Sequence, residues 1–111
     1  MDHDFDAQRA DTFATFAEMA AENDLPDLAD LDFFFVAARP DADWRPLAQE
    51  LEQADFLCDW VDDDEAGDTP YLIATLTEQP VSAQSLWIAE ETATRIALPH
   101  GFAPEGWGME G

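Results

Sequence analysis

Apolar and polar positions follow two rhythms along this chain, one helical and one strand-like. From Phe5 to Asn23 apolar residues recur at helical spacing. Phe13, Phe16, Ala17 and Ala20 fall on one side, which predicts an amphipathic helix. Pro26, within Asp24-Leu25-Pro26-Asp27, ends it, because proline disfavours helical backbone in the residue before it. Leu31 to Ala38 is apolar at nearly every position, as expected of a strand covered on both faces, and Arg39-Pro40 closes it. Asp43 is placed to cap a second helix that carries Trp44, Leu47, Leu51 and Ala54 on one face. Pro46 sits in its first turn, where a missing N–H does little harm.

The second half repeats the alternation. Phe56 to Asp62 reads as a strand, with Phe56, Cys58 and Trp60 opposed to Leu57, Asp59 and Val61. An acidic turn follows, and Tyr71 to Thr77 forms a third strand, again apolar on both sides. Ser82 caps the last helix, with Val81 and Leu86 at the two positions of a hydrophobic staple. Leu86, Ala89, Ala93 and Ile96 make its buried face, and Pro99-His100-Gly101 stops it. Phe102 to Met109 is a fourth strand, which Pro104 assigns to a sheet edge.

After the first helix the order is therefore β-α-β-β-α-β, the split β-α-β or ferredoxin-like α+β arrangement. Its first and third strands are central, and here those are the two that are apolar throughout. The expected spatial order is 4-1-3-2, a four-stranded antiparallel sheet. Two helices cover one sheet face, and the N-terminal helix or a second subunit is left to cover the other. We expect residues 1–111 to be a single domain, with a helical extension at 1–28 and a ferredoxin-like core at 29–111. At 111 residues, 47% of them hydrophobic, burial alone suffices for folding.

Charge changes this picture most. There are 26 acidic side chains against four arginines (Arg9, Arg39, Arg45 and Arg95) and no lysine, a net charge of −22. Such a surface repels nucleic-acid phosphates and anionic membranes and attracts basic proteins. An Asp-rich, Lys-free surface equally suits a salt-filled cell. The single cysteine, Cys58, excludes an internal disulfide. The N-terminus has no signal-peptide pattern and no apolar run is long enough to span a membrane, so a cytoplasmic location is expected.

Candidate chemistry is sparse. Ser82 and Ser85 lie outside any nucleophile elbow, His3 and His100 stand alone, and a Cys58–His100 pair would lack an orienting third group. Asp62, Asp64 and Gly67 match three positions of a calcium loop, but Ala66 and Ile73 occupy ligand positions. Asp59, on an edge strand, reads as a guard against edge-to-edge pairing. No enzyme, cofactor or metal site is expected. What stands out is Glu105-Gly106-Trp107-Gly108, a tryptophan between glycines that either caps the core or anchors a partner. The acid run Asp62, Asp63, Asp64 and Glu65 is a second candidate contact for a basic partner.

The stretch from His100 to Gly108 resembles the C-terminus of the RraB family, regulators of ribonuclease E activity, which ends in His-Gly-Gly-x-Tyr-Asp-Gly-Trp-Gly. Gly101 and Gly106-Trp107-Gly108 match, and Glu105 stands for the aspartate. Phe102 and Pro104 depart from the family's second glycine and tyrosine. Upstream, Phe33-Phe34-Phe35, Leu47-Ala48, Leu51 and Phe56 follow the family's layout, so that the resemblance spans residues 30 to 110. It implies an α+β fold and a non-enzymatic protein that binds ribonuclease E and restrains RNA decay. On this view the acidic surface engages a basic segment of the ribonuclease. The alternative is a small-molecule-sensing domain that dimerises through its open sheet face.

Overall fold

A computed structural model describes residues 3–62 and 69–110. Its elements are α1 (Phe5–Glu22), β1 (Leu28–Ala37), α2 (Trp44–Gln53), β2 (Leu57–Val61), β3 (Tyr71–Pro80), α3 (Ala83–Ala97), a 3-10 turn (Leu98–His100) and β4 (Phe102–Glu110). The fold is α+β, with one antiparallel four-stranded sheet in the order β2-β3-β1-β4. This is the expected order 4-1-3-2 read from the other edge, with β1 and β3 central.

The helix starts follow from the caps. The Asp43 carboxylate accepts from the Arg45 N–H at 3.0 Å, and the Ser82 hydroxyl accepts from the Ser85 N–H at 3.0 Å. Each satisfies a donor that the first helical turn leaves unpaired. Asp4 does the same for α1, accepting from the Ala7 N–H at 3.0 Å.

The core lies between α2, α3 and one face of the sheet. Leu31, Phe33 and Phe35 of β1 alternate into it and meet Leu47 and Leu51 of α2 and Leu86, Ala89 and Ala93 of α3. Phe33 packs edge-on against Phe56, with ring centroids 6.2 Å apart. On the α2 side Trp44 stacks on Trp60 (5.3 Å, 7° between planes), and Trp60 meets Phe102 edge-on at 6.4 Å.

Two expectations are corrected. The opposite face of β1, with Asp30, Asp32, Phe34 and Val36, is only half-buried, and no second layer lies on it among the described residues. On it Phe34 meets Tyr71 edge-on at 5.9 Å. And α1 does not cover that face. It packs against α3, extending the helical layer. Its inward residues are Gln8, Thr12, Phe16 and Met19, whereas Ala17 and Ala20 are exposed. The stripe is rotated because its docking is polar: Thr12 is its buried residue, and Phe13 instead lies under the guanidinium of Arg9, 4.5 Å from the ring centre.

Candidate protein-binding groove

β4 begins where the 3-10 turn hands over to Gly101. This glycine has φ +83°, a left-handed conformation that an L side chain adopts only with strain. A Cβ there would also stand 2.7 Å from Nε of Arg39. Only glycine serves at this corner, where the Ala38 N–H donates to the Gly101 carbonyl at 2.7 Å and opens the β1–β4 ladder.

Along β4, Phe102, Trp107 and Met109 pack toward the core, with Trp107 opposite Phe33 and Met109 opposite Leu31. The register slips between Phe34 and Phe35, leaving Glu105 as the extra residue of a bulge beside Pro104. Gly106 and Gly108 pair with Phe34 and Asp32 and so share the open face, where a Cβ on Gly108 would touch the Phe34 ring at 3.7 Å. Trp107 is thus neither fully buried nor a free anchor. One part packs on the core and the other is reached by solvent from a groove.

That groove lies between α1 and β4 and holds about 700 Å³. Trp107 and Met109 line its strand side, and Asp4, Asp11 and Met19 its helix side. Its floor is a polar cluster that joins α1 to α3. Thr12 donates to Glu90 in a short hydrogen bond, Gln8 Nε2 donates to the Thr94 hydroxyl at 3.1 Å, and the Gln8 side-chain oxygen Oε1 lies 2.6 Å from the His3 ring nitrogen Nε2. Burial raises the pKa of Glu90, while its hydrogen bonds to Thr12 and Gln8 and the nearby His3 pull it back. The lining carries four carboxylates (Asp4, Asp11, Glu90 and Glu105) and no arginine.

The sites expected from sequence are divided by this geometry. Glu105, Gly106, Trp107 and Gly108 all border the groove. Asp62, exposed at the end of β2, lies at the opposite edge of the sheet, three strand spacings or roughly 14 Å away. Asp63, Asp64 and Glu65, together with Ala66 and Gly67 of the calcium-like match, lie outside the described residues. Gln8, Thr12 and Glu90 were not foreseen. One signal was present: Glu90 stands four residues after Leu86 and three before Ala93, on the apolar face of its helix.

Nothing in the arrangement equips it for catalysis. Burial, with the charge of Glu52 adding to it, pushes the Cys58 thiol up to about 11, so at neutral pH it is a thiol and not a nucleophilic thiolate. Cys58 donates to the Ala48 carbonyl at 3.7 Å, and His100 pairs with Glu50 at 2.9 Å, so the two are not partners. Among the described residues no group of three or more His, Cys, Asp or Glu side chains could hold a metal ion. No helix among them is long and apolar enough to cross a membrane.

The acidic excess is not neutralised internally. Arg39, Arg45 and Arg95 each pair with a carboxylate near in sequence, Asp41, Asp43 and Glu91, in exposed contacts worth little. Arg95 also lies over the Phe5 ring, 4.2 Å from its centre, and so ties α3 to α1.

Comparison with known proteins adds one finding. The family model described as "Regulator of ribonuclease activity B" matches residues 9–109. The match takes in α1 from Arg9 onward, a wider span than the motifs of β1 to β4. No curated protein matches the chain. Proteins of this family regulate ribonucleases and are not themselves enzymes. Sheet order, the Gly-Trp-Gly of β4 and a match over nearly the whole chain agree: the chain belongs to the RraB family of regulators of ribonuclease activity.

Proposed function

We propose that this chain restrains RNA decay by binding a basic segment of a ribonuclease E-type enzyme, acting as one domain in which the helical extension at 1–28 rests on a core at 29–111. The observation that carries the reading is the groove beside β4, whose charged lining is acidic and whose strand side bears Trp107 and Met109. Carboxylates steer a cationic chain toward it, and a partly buried tryptophan with a flexible thioether beside it offers area to bind. The acid run at Asp62, Asp63, Asp64 and Glu65 belongs to the same reading as a steering patch that speeds encounter.

The test is a titration of an arginine-rich polypeptide, with cleavage of an RNA by ribonuclease E measured in parallel. Binding should weaken steeply between about 50 and 500 mM salt, as the Debye length falls below ~5 Å. Cleavage should slow in proportion to occupancy. Absence of binding at every salt concentration sinks the proposal.

The open sheet face favours a second reading. Phe34, Val36, Tyr71 and Ile73 lie together there, half-buried and without a covering layer among the described residues. This is a surface through which two copies would dimerise or a small apolar ligand would lodge. Salt separates the two readings by sign. Two chains of charge −22 repel, so self-association through this face should strengthen with salt, whereas capture of a basic segment should weaken.

A further inference from the structure

Resting on the reading above, we infer that the groove between α1 and β4 takes its basic segment as an added strand, paired edge to edge with β4. β4 has β1 on one side and, among the described residues, no strand on the other, so its outer N–H and C=O groups are open to pairing. α1 finds its partner in α3 and leaves the space beside that edge free. Beyond the bulge at Glu105, the strand runs regularly from Gly106 to Met109 against β1. At about 3.3 Å per residue, the edge from Pro104 to Met109 receives roughly five or six residues of an extended chain.

A second observation comes from Gly106. Its φ is not positive, and a Cβ there would meet nothing within 4 Å. No contact inside the chain excludes a side chain at this position. Glycine in a strand marks a bulge or a place where a ligand or another backbone comes close, and Gly106 borders both the bulge at Glu105 and the groove.

The alternation of a strand then dictates the sequence of the occupant. Every second side chain of an added strand points to the helical side, where Asp4, Asp11 and Glu90 line the groove. The others point to the open face beside Phe34 and Glu105. The occupant is therefore a segment with arginine or lysine at alternate positions and β-forming residues between them. An unpatterned cluster of charge does not meet this requirement.

Two synthetic octapeptides of equal charge test this. One alternates arginine with valine and threonine, and the other has the same arginines with proline in the intervening positions, which cannot pair as a strand. The alternating peptide should bind at least tenfold more tightly. Ala7→Trp and Thr15→Trp, exposed positions of α1 that face the groove, should weaken it at least tenfold. Ala10→Trp and Ala17→Trp, exposed on the far side of the same helix, should leave it unchanged. In the unsubstituted chain, hydrogen exchange at the amides of 106–109 should slow on binding while that of β2 stays as it was. This readout does not depend on how the variants fold. Equal affinity for the two peptides, or binding without protection of β4, overturns strand addition and leaves the regulator reading standing. If neither peptide nor any longer arginine-rich chain binds at low salt, the regulator reading itself fails.

Discussion

The two kinds of helix contact in this molecule have opposite chemistry. α2 and α3 meet the sheet through leucine, alanine and phenylalanine that are almost wholly removed from water. α1 meets α3 through a threonine, a glutamine and a buried glutamate. The first contact draws on burial of apolar surface, which is non-directional and tolerant of small shifts. The second draws on donors and acceptors that must all be satisfied, and among the described residues no buried side-chain N or O lacks a partner. The first therefore decides whether the chain folds. The second decides how α1 stands beside β4, and hence the width of the groove.

The strongest way to break the comparison is to cut into the apolar contact. Phe35 is 1% exposed, and Phe35→Ala should cost ~3–5 kcal/mol, read as a fall in the urea midpoint of the whole domain. All probes should lose signal together. Thr12→Val should cost less, ~1–3 kcal/mol, because it deprives the buried Glu90 of one of its two donors. Its effect should also be local: amides of α1 lose protection while those of β1 and β3 keep theirs. Equal loss in β1 would mean that the polar contact is part of the core after all.

A gentler probe is pH. Burial raises the folded pKa of Glu90 above the ordinary 4.5, so the folded chain holds a proton that the unfolded chain has released. In that window the stability contributed by this carboxyl falls as pH rises. Its facing groups are Thr12, Gln8 and His3, which pull the other way, with Asp4 and Asp11 further along the groove. Glu90→Gln, which never ionises, should gain in melting temperature relative to the unsubstituted chain on going from pH 5 to pH 8. A constant difference would show that Glu90 keeps its proton, or its charge, throughout. The smallest effect is expected at Cys58. With its thiol near 11, alkylation at pH 8 should be slow in the folded chain and should accelerate in urea.

Much of the fold was legible because it rests on local rules. Asp43 and Ser82 marked two helix starts, and Pro104 marked an edge strand, since each acts on its own neighbours in the chain. Near-continuous apolar runs located β1 and β3 at the centre. Pattern failed at α1, where apolar spacing selected Ala17 and Ala20 while the true contact is made by Gln8 and Thr12. A polar contact has no hydrophobic period. The Gly-Trp-Gly of β4 was recognisable as a motif, but its groove was not, because the groove exists only where α1 happens to stop short of the strand. Asp62 and Glu105 were both candidate contacts, and the expected sheet order already set them at opposite edges.

The tryptophans give the molecule its own optical labels. Trp44 and Trp60 lie with ring planes parallel and centroids 5.3 Å apart, close enough for their excited states to couple. That coupling exists only while α2 is seated on β2, so its loss follows the apolar half of the protein. Trp107 stands apart from them in the groove, so the part of the emission that changes with what occupies the edge of β4 is its own, over a background from Trp44, Trp60 and the buried Trp87 of α3. One sample, read at two signals, separates melting of the core from filling of the groove without any dye.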